Sequence, residues 1–223
     1  MLFYLSSLSA AGAPFTVILQ VIIGVLLGVL IGMTVHEFAH NYVAYLMGDR
    51  TPLEQGRLTL NPMTHIYWPG FIMFALIGFG ILGTAPINAR RMRNPRWGYL
   101  AAVAGGPFSN LLVAIVLGLV FRLVAAIDPS SIFLITLQIM VSMNLILFLF
   151  NLIPLFPLDG WHIVYAALPP DLAYKWERTA QYAQMIMWLL ILTSFVPIIP
   201  PQFNPLTLLV TGPMNFLMRL IIG

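Results

Sequence analysis

The sequence predicts an all-α polytopic membrane protein of about four to five transmembrane helices, with one further segment that enters the bilayer or lies at its surface. Three observations predict it. The chain has 223 residues, of which 60% are hydrophobic and only 8% charged, against roughly 25% charged in a soluble domain. So few charges cannot cover a water-facing surface of this size, and lipid must solvate much of it. The apolar residues fall into runs near the length of about 20 residues that a spanning helix needs. The polar residues gather in short stretches between those runs.

In chain order, residues 15–48 form one long helix, uncharged as far as Val35 and then carrying His36-Glu37-Phe38-Ala39-His40. A polar loop comes next, with the turn residues Gly56, Asn61, Pro62 and Pro69. Residues 70–86 are apolar, but the run is short and broken by Gly78, Gly80 and Gly83. A basic loop holds Arg90, Arg91, Arg93 and Arg96. Residues 97–127, 130–155 and 179–197 read as spans, with a polar, amphipathic stretch before the last of them. Residues 206–222 are a borderline final span, since about 17 residues is the lower limit. The whole chain, 1–223, reads as a single membrane-embedded domain. It shows no internal repeat, and no polar stretch reaches the ~50 residues of an appended soluble module. The first 14 residues lack the basic region of a cleaved signal peptide.

Composition narrows the chemistry. There is no cysteine, which removes disulfides, thiolate metal sites and cysteine nucleophiles together. Any metal must be held by His, Asp or Glu, and only four His and seven acids are present. The net charge of +3 reports membrane orientation rather than a nucleic-acid partner.

His36 and His40 are four residues apart and share one helical face, so both imidazoles can reach one metal ion. Glu37 is offset by one residue and can address a water on the metal. A metal such as zinc brings that water's pKa to roughly 7, within reach of a carboxylate base. The competing reading is two His and a Glu at a helix end, stabilised by lipid headgroups. Against it, three ionisable groups come after roughly twenty uncharged residues, and such groups cost several kcal/mol in a membrane unless paired or bound. A catalytic zinc takes three protein ligands and keeps one position open. Arg57-Leu58-Thr59-Leu60 offers no carboxylate where thermolysin-type enzymes carry one, and Glu54 comes too early. The remaining strong candidate is Asp159, after the apolar run from Asn151 to Leu158; taken alone, it is also a common Asp-Gly turn.

These residues together resemble the site-2 protease family of intramembrane zinc metalloproteases, in its short form without PDZ or CBS modules. The resemblance rests on His36 to His40 and on Leu158-Asp159-Gly160. Three further patches join them: Gly56 to Pro62 with His65; Pro86-Ile87-Asn88 with Arg93 to Arg96; and Gly106-Pro107-Phe108-Ser109-Asn110. Asn144 and Asn151-Leu152-Ile153-Pro154 fit the run before the aspartate. The match covers residues 35–168, over half the chain. It implies that His36, His40 and Asp159 hold one Zn2+ per chain, that Glu37 is general base and then general acid, and that Asn151 hydrogen-bonds the substrate carbonyl or oxyanion. A neutral amide suits that role, since it stabilises an oxyanion without the burial penalty of a charge; an interhelical hydrogen bond is the other reading of Asn151. Asn110 and Asn144 read as polar glue between helices. Gly83-Thr84-Ala85 departs from relatives that carry a Lys there, and Trp161-His162 departs from those with a small or basic residue. His162 and His65 read as structural.

The implied function is zinc-dependent endoproteolysis in or near the transmembrane segments of membrane-protein substrates. The partners are those substrates and the lipid bilayer; homo-oligomerisation stays open. A catalytically inactive zinc-binding adaptor and a zinc transporter are the alternatives, the second disfavoured because the polar groups lie near one face only. His40 and Asp159 are expected at the C-terminal ends of parallel helices, which requires an even number of crossings between them and makes 70–86 re-entrant or interfacial. That topology puts Arg50, Arg57, Arg90, Arg91, Arg93, Arg96, Lys175 and Arg178 on one face, joined by Arg219 if the last segment crosses, with Arg122 near the other. The positive-inside rule then points the active site at the cytoplasm.

Overall fold

The computed structural model describes residues 8–78, 80, 82–195 and 204–223, and these contain helices and turns joined by short irregular segments. Among the described residues, three helices are long and apolar enough to cross a membrane: α1 (Phe15–Leu46), followed beyond the short helices α2 (Thr51–Glu54), α3 (Pro62–His65) and α4 (Trp68–Ile77) by α5 (Pro95–Ile127) and α6 (Phe133–Asn151). Then come α7 (Asp159–Ala167), α8 (Pro170–Glu177), α9 (Ala180–Phe195) and α10 (Pro205–Ile221). Residues 196 and 197 of the expected 179–197 span lie outside the described residues.

Local chemistry sets these boundaries. The chain leaves α1 through Gly48, whose φ of 108° suits glycine. Asp49 is fully buried and fastens the exit, its carboxylate accepting from Thr51 N, Thr51 Oγ1 and, 39 residues on, Asn88 N. Asn94 caps α5 by accepting from Trp97 N, with Pro95 in the first turn where no N–H is needed.

The core is a three-helix sandwich of α1, α5 and α6. Along α1, Gly24, Gly28 and Gly32 meet Ile139, Met140 and Asn144 in rising order, so α1 and α6 run parallel. At Gly32 a Cβ would stand 2.6 Å from Asn144 Oδ1, and at Gly28 3.0 Å from Met140 Cα, so the close approach depends on bare glycine. Helix α5 runs the other way: its Gly105 meets Ala39 and Val43, and its Asn110 reaches Gly32. Two asparagines tie the sandwich together, and a third braces α1. Asn144 Nδ2 donates to Gly28 O at 3.1 Å and Met140 O at 2.9 Å, and Asn110 Nδ2 donates to Gly32 O at 2.9 Å. Asn41 Nδ2 donates to Glu37 O within α1.

Helix α4 has ten residues, about 15 Å of rise against a hydrocarbon core of roughly 30 Å. The chain then comes back on itself: Tyr67 N donates to Leu82 O at 2.8 Å, and Ile66 pairs antiparallel with Gly83. Ile66 and Leu82 join Val29 and Met33 of α1 in one buried cluster, flanked by Trp68, Phe71 and Phe74.

Two expectations are corrected. Asp159 does not end a helix that runs on from α6. Helix α6 stops at Asn151, and Asp159 is the first residue of α7. Pro154 and Pro157 in the intervening stretch lack the N–H a continuing helix needs. The parallel course of α1 and α6 nevertheless stands. Arg219 does not join the other basic residues either. Arg122 donates to Leu220 O at 2.7 Å, and Ile221 packs on Gly118. The end of α10 therefore sits beside the stretch of α5 about 30 Å of helical rise beyond Ala102. The apolar residues Leu217, Met218 and Ile221 draw it there, against Ala114, Val141 and Leu145.

Candidate metal centre and active site

The i, i+4 spacing on α1 stacks His36 and His40 edge to face, with ring centroids 4.5 Å apart. Both are buried, at 3% and 5% exposure. The Nδ1 of each ring is engaged by α5. Asn110 uses its amide nitrogen on Gly32 O, so its Oδ1 faces His36 and accepts from Nδ1 at 2.7 Å. His40 Nδ1 donates to Ala102 O at 2.9 Å. With Nδ1 carrying the proton, the Nε2 of each neutral ring holds only a lone pair.

Those lone pairs converge. The two Nε2 atoms are 2.9 Å apart. Asp159 Oδ2 lies 3.2 Å from His36 Nε2 and 3.4 Å from His40 Nε2, and this buried oxygen has no hydrogen-bond partner. All three donor atoms fall within 4.8 Å of one another. Three acceptors facing one point with no proton between them repel, and each unpaired buried acceptor costs about 1–3 kcal/mol. A divalent cation reverses the sign: bound structural zinc contributes on the order of 10 kcal/mol. The donor set, two neutral imidazoles and a carboxylate, suits zinc. Gly106 leaves the room, since a Cβ there would run into His40 Nε2 and the His36 ring.

Glu37 is buried beside the cluster at 3% exposure, and its Oε2 has no hydrogen-bond partner. Its Oε1 faces the returning segment: a Cβ on Gly83 would stand 2.9 Å from it. A carboxylate next to these three candidate ligands, held without a partner, is free to accept a proton. Asn151 is placed differently. It ends α6, its Nδ2 donating back to Leu147 O at 2.9 Å within its own helix. His65 is buried with Nε2 donating to Thr59 O at 2.6 Å, which pins the loop before α4.

Sequence reasoning missed three participants. Asn110 bridges helices as expected, but it also orients His36. Gly106, noted in the sequence only as part of its Gly-Pro-Phe-Ser-Asn patch, leaves the space that the His36 and His40 rings occupy. Tyr99, not singled out at all, hydrogen-bonds His162 Nδ1 at 3.0 Å. The usable signal was the spacing of 99, 102, 106 and 110, which lays Tyr99, Ala102, Gly106 and Asn110 along one stripe of α5. Burial pushes the pKa of His162 down, against the pull of the Asp159 carboxylate.

Comparison with known proteins identifies the family. The model of peptidase family M50 matches residues 125–194, a stretch that contains Asp159. A Bacillus subtilis protein whose name assigns it as a zinc metalloprotease, YwhC, is 37% identical over 71% of this chain and 75% of its own length. Two proteins named Rip2, likewise assigned as zinc metalloproteases, are each 29% identical. The one from Mycolicibacterium smegmatis aligns over 76% of this chain and 64% of its own length, and the one from Mycobacterium tuberculosis over 72% and 62%. No solved structure matches. The chain is therefore a multi-pass membrane zinc metalloprotease, and it belongs to peptidase family M50.

Proposed function

We propose that the enzyme is an intramembrane endopeptidase in which His36, His40 and Asp159 hold the zinc and Glu37 moves the proton. The observation that carries this reading is the convergence of two imidazole Nε2 atoms and a carboxylate oxygen beside a buried, unpartnered carboxylate, inside an apolar helix bundle. Zinc at this site supplies a Lewis acid that acidifies water toward a pKa of roughly 7 and polarises a carbonyl. Glu37 takes the proton of the attacking water and delivers it to the departing amine. Asn151 has one amide hydrogen left after its bond to Leu147, which it offers to the carbonyl oxygen as negative charge builds. Asn110 and Ala102 keep the imidazoles in the tautomer that leaves Nε2 free.

The substrates, on this reading, are transmembrane segments of other proteins. Such a segment must unwind locally, because helical peptide bonds are shielded by their own hydrogen bonds. Segment 70–86 is re-entrant and gates the site. Its support is the short α4 and the return of the chain from Tyr67 to Leu82, with Gly83 against Glu37. The site opens toward the cytoplasm: eight of the ten basic residues flank the site-bearing ends of the helices, and Arg122 and Arg219 lie at the far ends. One membrane-embedded domain, 1–223, carries the activity.

The test is cleavage of a panel of single transmembrane segments by purified, zinc-loaded protein in liposomes, read by mass spectrometry. Products cut within or at the edge of the apolar segment support the reading. Cleavage confined to soluble peptides contradicts it, and zinc binding with no turnover on any peptide favours the adaptor alternative.

A further inference from the structure

Asp159 differs from the other two members of the metal cluster in how it is held. His36 and His40 keep their relative positions as long as α1 is helical. Asp159 arrives on α7, a nine-residue helix reached through a stretch that contains Pro154 and Pro157. A helix of that length is not stable in isolation, since about 12–15 residues are needed. Holding Oδ2 at 3.2 and 3.4 Å from the two imidazoles therefore requires α7 to be fastened from outside.

Trp176 Nε1 of α8 donates to Trp161 O of α7 at 3.1 Å, and two further fastenings come from the first turns of α5. At the start of α7, His162 lies three residues after Asp159, on the same face, and its Nδ1 is hydrogen-bonded to the Tyr99 hydroxyl at 3.0 Å. At the end of α7, Arg96 Nε donates to Ala166 O at 2.9 Å and Arg96 Nη2 to Ala167 O at 2.7 Å. These carbonyls belong to the last turn, which has no intrahelical donors, and a cation there is also favoured by the helix dipole. Arg96 and Tyr99 are three apart and thus neighbours on α5. Tyr99 in turn is one turn before Ala102, whose carbonyl fixes His40. One face of α5 therefore reaches every element of the cluster.

We propose that Tyr99, His162 and Arg96 are positioning residues for the metal, clasping α7 to α5 and so setting Asp159 at coordinating distance from His36 and His40. The proposal rests on the reading that these three residues ligate zinc. None of the clasp residues touches the metal, and their contribution passes through Asp159. The clasp also predicts that removing the Tyr99 hydroxyl and removing its hydrogen-bond partner on His162 act on one interaction, so their effects do not add.

The experiment uses full-length protein in lipid nanodiscs. Zinc affinity is read by chelator competition, and ligand geometry by the visible absorption of the cobalt-loaded form. Tyr99→Phe keeps the ring packing and loses only the hydroxyl. It is expected to weaken zinc about 10-fold and to alter the cobalt bands, with the melting temperature of metal-free protein unchanged. His162→Phe, alone or combined with Tyr99→Phe, should give the same loss. Arg96→Gln should weaken zinc at least as much, and Arg96→Lys should restore part of it. Wild-type zinc affinity and cobalt bands in both Tyr99→Phe and Arg96→Gln overturn the clasp while leaving the ligand assignment standing. Undiminished zinc affinity in an Asp159→Ala control removes the ligand assignment itself, and the clasp with it.

Discussion

His36 Nδ1 donates to Asn110 Oδ1 at 2.7 Å across 74 residues of sequence. Asn110 is in turn held by Gly32 O at 2.9 Å, and more distantly by Asn144 Oδ1 at 3.4 Å. The three long apolar helices α1, α5 and α6 thus all contribute to the orientation of one imidazole. A ligand whose second nitrogen is fixed in this way presents a single lone pair to the metal.

Asn110→Ala removes the acceptor and frees the His36 ring to adopt the other tautomer. Zinc affinity is expected to fall 10- to 100-fold, the range for lost outer-sphere partners. Chelator competition on purified protein checks it, with Asn144→Ala showing a smaller effect because it acts one bond further away.

Gly106→Ala places a methyl group against His40 Nε2. Alanine is the better helix former by roughly 1 kcal/mol, so α5 itself should fold at least as well. The expected outcome is a folded protein with unchanged helical circular dichroism and zinc affinity reduced by about 100-fold or more. Full zinc occupancy in this variant would show that the metal sits elsewhere.

The sequence made one half of this site legible and hid the other. His36, Glu37 and His40 could be read because helical periodicity alone decides which residues share a face. Asp159 needed the family resemblance, since an Asp-Gly pair is also an ordinary turn. The long helices were legible because lipid demands uninterrupted apolar runs. The start of α7 at Asp159 was not, because two prolines within a short apolar run mark a break in one helix without locating the start of the next. Asn110, Gly106 and Tyr99 escaped because their roles exist only across the α1–α5 and α5–α7 contacts, between residues 63 to 74 positions apart. The placement of Arg219 failed for a related reason: it depends on where the apolar face of α10 finds a partner, which periodicity does not reveal.

Gly83→Ala acts on Glu37 rather than on the metal. A Cβ would stand 2.9 Å from Oε1, 3.0 Å from the carboxyl carbon and 2.8 Å from His65 O, so either the carboxylate or the returning segment must move. Zinc content is expected to stay at the wild-type level while kcat falls on the order of 10²-fold, the scale of a misplacement near 1 Å. Steady-state cleavage with parallel metal analysis separates the two quantities.

Topology offers an independent check, made clean by the absence of native cysteine. A thiol introduced as Arg93→Cys is expected to react with an impermeant reagent from the cytoplasmic side. One introduced as Arg219→Cys, beside the Arg122 end of α5, should react from the opposite side. Labelling of both from the same side would break the orientation inferred from the basic residues.

One zinc on His36, His40 and Asp159, with Glu37 as its proton shuttle, is the centre of the proposed mechanism. The most direct measurement compares zinc content and transmembrane-segment cleavage in wild type, Asp159→Ala and Glu37→Gln. About one zinc per chain is expected in wild type and in Glu37→Gln, little in Asp159→Ala, and cleavage in wild type alone. Full zinc in Asp159→Ala, or cleavage by Glu37→Gln at the wild-type rate, would contradict it.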